Sequence, residues 1–221
     1  MILDYPRWII TGVSVITLVM LVFVNQLKMN FSIEQLFALN DPAVDRYFEF
    51  LEEFEREDNL ILLLYECDDP FSYHNLVLNQ KLIQNFESII GVNKVTSLSN
   101  LEIFTDGDDE LLRPVYPYIP QSADSLQAAK HRILSSPLVK QTLISNDGSL
   151  ASIAIELHDV FNNHDLREKI INEIDIMQNT VGWNWHQAGI PILRTRYVQL
   201  MVSDTIRFLI PVALMLSLIH I

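Results

Sequence analysis

The groups with which this chain could do chemistry are six histidines, one cysteine and 28 acidic residues. His158-Asp159 and His164-Asp165 stand six residues apart around Phe161-Asn162-Asn163, a spacing that superficially suits a metal held by imidazoles and carboxylates. A strand end followed by a helix cap accounts for the same residues more simply, since Asn and Asp are preferred caps. Cys67 precedes Asp68-Asp69-Pro70 and reads as a half-buried thiol at a strand end rather than a nucleophile. Being alone, it forms no intrachain disulfide. Asp106-Gly107-Asp108-Asp109 opens like a calcium loop but lacks the later ligands and the closing Glu, so a solvated turn is expected there. Glu52-Glu53 and Asp108-Asp109 are adjacent rather than facing, which suits exposed charge better than acid/base work. Neither a Gly-rich phosphate loop nor Gly-x-Ser-x-Gly, His-Glu-x-x-His or a paired-Cys motif occurs. The expectation is therefore a non-enzyme, with no catalytic, cofactor-binding or metal-ligating residue and no cofactor.

The elements that surround these residues carry more information. Trp8 to Val24 is an unbroken apolar run without a charge. A hydrocarbon core about 30 Å thick needs roughly 20 such residues in a helix. Thr and Ser hydroxyls within the run can bond back to helix carbonyls. The run exceeds a signal peptide's usual apolar stretch, and Asn25-Gln26-Leu27-Lys28 makes a poor cleavage site, so residues 1–28 are expected to be a retained transmembrane helix. The long acidic segment beyond it is expected outside, with the N-terminus inside. A net charge of −13 leaves no basic patch for a phosphate backbone, which argues against nucleic acid as a partner.

Residues 29–191 pattern as a mixed domain. Asp41-Pro42 starts a helix whose Val44, Tyr47, Phe48, Leu51 and Phe54 recur at helical spacing to about Arg56. Asn59 to Tyr65 is a short buried strand. Leu78, Leu82, Ile83, Phe86, Ile89 and Ile90 mark the next helix, with Gly91 expected at its C′ position. Val92 to Leu98 is a second strand. Thr105 to Ser122 is rich in Pro and Asp and unsuited to a central element. A short helix over 125–134, the turn Asn146-Asp147-Gly148, a strand over 149–157, a helix through Leu166, Ile170, Ile171, Ile174 and Met177, and a strand over 183–188 complete the pattern. Two β-α-β units imply an α+β class with a ferredoxin-like, double split β-α-β arrangement flanked by transmembrane helices.

Gly189-Ile-Pro191 ends the domain, and residues 192–221 read as the start of a second, truncated span. Arg194, Arg196 and Arg207 are expected to anchor its interface, with Asp204 at the membrane boundary. Leu216-Ser-Leu-Ile-His-Ile221 coincides with an in-frame translation of a transposase adaptor end used in sequencing libraries, and carries no functional weight.

Four stretches resemble the RND superfamily of exporters, of the MMPL/Patched-like type. They are Leu36 to Pro42 with Tyr47 and Phe50 to Phe54; Asp58 to Leu64; Pro137-Leu-Val with Leu143 to Gly148 and Ala151 to Leu157; and Gly189-Ile-Pro191 with Arg194, Tyr197 and Asp204 to Pro211. The resemblance implies the N-terminal fragment of a multi-pass inner-membrane transporter. Such a transporter exports hydrophobic or amphiphilic molecules by proton-driven antiport. Its implied partners are the lipid bilayer, the cargo, the remaining half of the transporter and further copies of itself. Residues 29–191 would be its periplasmic, substrate-guiding porter domain, with Phe104, Tyr116 and Tyr118 either lining an entrance or packing on their own domain. The family's proton-relay carboxylates lie beyond residue 221. The alternative is the extracytoplasmic sensor domain of a two-span signalling receptor, which has the same layout of spans; an anchored envelope protein is a third.

Overall fold

The computed structural model describes residues 6–24, 42–43, 46, 49–50, 59–104, 112–136, 139, 143–158 and 163–219. They fall in two compact units, Met1–Phe48 and Glu49–Ile221. In the first unit, helix α1 spans Pro6–Val24, with Pro6 at the first helical position, where its missing N–H is no loss. Its 19 residues are about 28 Å long at the usual rise. Thr17 Oγ1 donates to the Val13 carbonyl at 2.9 Å, the back-bond that lets a hydroxyl sit in an apolar helix. Pro42, Ala43, Arg46, Glu49 and Phe50 are helical, and the rest of the helix expected to Arg56 lies outside the described residues.

The second unit is an α+β domain. Its elements are β1 (Leu60–Glu66), α2 (Tyr73–Glu87), β2 (Val92–Ser97), β3 (Glu102–Phe104), β4 (Leu112–Pro114), α3 (Ala123–Ser135), β5 (Leu150–Leu157), α4 (His164–Gln178), β6 (Asn184–Ala188) and α5 (Ile190–Ile219). Four strands form one antiparallel sheet in the order β2-β5-β1-β6. Strands β1 and β2, joined through α2, are thus separated by β5. Likewise β5 and β6, joined through α4, are separated by β1.

Alternation along β1 sorts the two faces. Ile61, Leu63 and Tyr65 are fully buried together with Ile153 and Ile155 of β5. Leu76, Leu82, Ile83 and Phe86 of α2 and Ile170, Ile171 and Ile174 of α4 close over them in a single core, where the two helices touch. On the other face Leu60 is exposed and Leu62 and Leu64 are half-buried, beside Ala154, His186 and Ala188. One polar hub crosses the core. Asn79 is fully buried and donates to Ser97 Oγ at 2.9 Å and Tyr65 Oη at 3.3 Å. Its amide oxygen accepts from Ser99 Oγ at 2.7 Å, so every group in the hub is satisfied.

Two local features differ from the sequence reading, at Gly91 and in the Pro-rich stretch. Helix α2 ends at Glu87 with Ser88 as its cap, and Gly91 lies three residues further on. Gly91 turns the chain into β2 with φ of 103° instead of closing the helix. Leu112–Pro114, inside the Pro-rich stretch, pairs with Glu102–Phe104 just before it as a small β3-β4 sheet separate from the main one. The region after Gly189 is one continuous helix of 30 residues that runs through Pro211.

Candidate functional site

Two places in the domain combine polar side chains with a defined geometry. The first lies at the end of the sheet where β1 leaves and β5 and β6 begin. The register opposes Tyr65 to Trp185 and Glu66 to Asn184. That brings Trp183 flat against Tyr65, with ring centroids 4.3 Å apart and planes at 17°. Trp185 leans on both rings at 5.5 and 5.4 Å. Beyond this three-ring cluster is an open cavity of about 610 Å³ lined by Glu66, Cys67, Asp68, Asn75, Trp183 and Asn184, among others.

Both asparagines on this wall donate to protein acceptors. Asn75 Nδ2 donates to the Asp69 carbonyl at 2.9 Å and to Cys67 Sγ at 3.4 Å. Asn184 Nδ2 donates to Glu66 Oε2 at 3.0 Å. Burial, and then the negative charges of Asp69 and Asp68, push the Cys67 thiol up to about 11, so it stays protonated at neutral pH. Burial likewise drives the Tyr65 hydroxyl far above its usual range.

The second place is the seam between α4 and the first three turns of α5. Gly189 turns the chain at φ of 119°, and a Cβ there would lie 2.3 Å from the Leu60 carbonyl oxygen, so only glycine fits. Pro191, Ile192, Arg194, Thr195 and Val198 of α5 are buried. Arg167 Nε of α4 donates to Thr195 Oγ1 at 3.2 Å. Arg196 Nη2 lies 2.7 Å from Asp175 Oδ2. Gln199 Nε2 donates to Glu168 at 2.8 Å, and Gln187 of β6 donates to Asp175 and Gln178 at 2.6 and 3.0 Å. From Met201 to Ile219 every residue is exposed. Among the described residues, α5 is the one helix long and apolar enough to cross a membrane.

The residues singled out in the sequence land as follows. Cys67 is a half-buried free thiol at the end of β1. His164 begins α4, where Asn163 caps the helix by accepting from the Leu166 N–H. His158 lies just after β5, and no group of three His, Cys, Asp or Glu side chains suited to a metal occurs among the described residues. Arg194 is buried in the domain, and Arg196 is exposed and paired with Asp175. Arg207 and Asp204 are exposed on α5. Tyr116 is buried, and its hydroxyl is pushed up to about 12 by that burial, whereas Tyr118 is exposed. Glu52-Glu53, Asp106 to Asp109, Asp159 and His220 lie outside the described residues. The aromatic cluster was not singled out in the sequence. Trp183-Asn-Trp185 gives two rings two residues apart, but their partner Tyr65 is more than 100 residues away and is found only through strand register.

Comparison of the chain with protein-family models and with curated proteins returned no match.

Proposed function

We propose that this chain is the N-terminal part of a multi-pass inner-membrane exporter of hydrophobic or amphiphilic molecules, resembling the RND superfamily. Residues 29–191 would form its outer, substrate-guiding domain. The observation that carries this reading is the construction of α5. Its first turns are locked into the core of the domain and its remainder is a bare apolar helix, so movement of the membrane end would be passed to the domain as rigid-body motion. The strand order β2-β5-β1-β6 supports a ferredoxin-like, double split β-α-β fold for that domain. The half-exposed sheet face at Leu60, Leu62 and Leu64 supports packing against the equivalent domain of the missing half. Helix α1 would be the first span, with proton flow through later spans driving export.

A two-span receptor with an outer sensor domain is the second reading, favoured by the polar, open cavity beside Trp183. Sequencing the native gene past the codon for Met215 separates the two. The exporter requires closely spaced apolar spans carrying an intramembrane Asp or Glu, followed by a second outer domain. A soluble transmitter module after one completed span would contradict it.

A further inference from the structure

The cavity at the end of the sheet has a one-sided chemistry. It is lined by two acidic residues, Glu66 and Asp68, both exposed, and by the half-buried Trp183. None of the described lining residues is basic. The amide donors of Asn75 and Asn184 are turned onto protein acceptors, and Ser149 Oγ donates to Asp147. The charged groups the cavity offers a ligand are therefore carboxylates alone, beside Trp183. The N-terminus of α2 nearby is already capped by Ser72, which accepts from the Asn75 N–H. Trp183 is held in place by its stack on Tyr65, whose ring is fully buried, so the aromatic wall is preorganised.

We propose that this cavity is a binding site for a small organic ammonium ion in free solution, held by cation–π contact with Trp183 and by charge with Glu66 and Asp68. A volume of about 610 Å³ accommodates a quaternary ammonium group with a short tail. A phosphocholine headgroup suits the site less well, because its phosphate would meet the same two carboxylates. Binding here needs only the outer domain, so it stands or falls separately from the exporter reading.

The test is a titration of the full chain in non-ionic detergent with choline, followed by calorimetry and by tryptophan emission in a Trp8→Phe background. Saturable binding is expected, about tenfold or more weaker for the uncharged isostere 3,3-dimethylbutan-1-ol and also weaker for phosphocholine. Trp183→Leu is expected to abolish it. Glu66→Gln with Asp68→Asn alters only exposed side chains and is expected to weaken binding about tenfold with an unchanged melting temperature, which keeps the test valid even if Trp183→Leu unfolds. Absence of saturable binding, equal binding of the uncharged isostere, or phosphocholine binding as tightly as choline would overturn the proposal. So would choline binding that the double carboxylate variant leaves intact.

Discussion

The Arg196 guanidinium lies 2.7 Å from the Asp175 carboxylate, fastening the second turn of the long apolar helix to the helix that covers the sheet. Both side chains are partly exposed, so the pair on its own contributes little, about 0.5–1 kcal/mol. It is one of several polar ties along that seam. A double-mutant cycle of Arg196→Ala and Asp175→Asn is expected to give a coupling of about that size by thermal unfolding in detergent. The coupling should shrink at high salt.

Gly189 and Gly91 both have positive φ, but they differ in what surrounds them. A Cβ at Gly189 meets the Leu60 backbone oxygen at 2.3 Å, which cannot move without disturbing the start of the central strand β1 where Leu60 pairs with Glu156. A Cβ at Gly91 meets the tip of the Ile170 side chain at 2.7 Å, which can rotate away. Gly189→Ala is expected to destabilise the domain by about 3 kcal/mol, and Gly91→Ala by about 1–2 kcal/mol. Melting temperatures of the two variants in parallel check the order.

Asn79 supplies partners to three side chains inside the core. Asn79→Leu would leave the hydroxyls of Tyr65 and Ser99 without that partner in a buried site. The expected cost is about 2–4 kcal/mol, measured as a lowered denaturation midpoint. Asn79→Ser, which keeps a polar group, should lose less.

Cys67 gives a pH signature. Its folded pKa is raised from about 9 to about 11, so the thiolate at pH 7.5 is about 100-fold scarcer than in the unfolded chain. Because a more basic thiolate is also more nucleophilic, alkylation of the folded protein should be about tenfold slower than of the unfolded protein. The folded rate should keep rising with pH toward about 11, after the unfolded rate has levelled near 9. A folded rate that levels near pH 9 would contradict the assigned environment.

The order of strands and helices from Leu60 to Ala188 was legible because apolar residues there recur with periods of two or between three and four. Pairing was less legible. Glu66 and Asn184 meet across more than 100 residues of sequence, and no local pattern encodes that register. Gly91 suggested a helix cap, yet backbone N–H groups of Ser88 and Ile89 already bond to Asn85 and Phe86 at the end of α2. The cap was complete before the glycine was reached. The apolar run after Gly189 was legible as a helix, and it is one, from Ile190 to Ile219. Arg194 and Arg196 precede an apolar run, so they read as interface anchors. In the fold Arg194 is buried, and Arg196 is exposed and pairs with Asp175 of α4.

The central claim is an outer α+β domain continuous with a membrane-crossing helix. Its most direct test is labelling of intact cells that express the full chain, with Cys67→Ser and Ile90→Cys, by a membrane-impermeant maleimide. Ile90 is 78% exposed on the domain and Cys67 is the only native cysteine, so the new thiol reports the side of the membrane without interference. The account predicts labelling before lysis, with the chain remaining in the membrane fraction after alkaline extraction. Labelling only after lysis, or release of the chain by alkaline extraction, would contradict it.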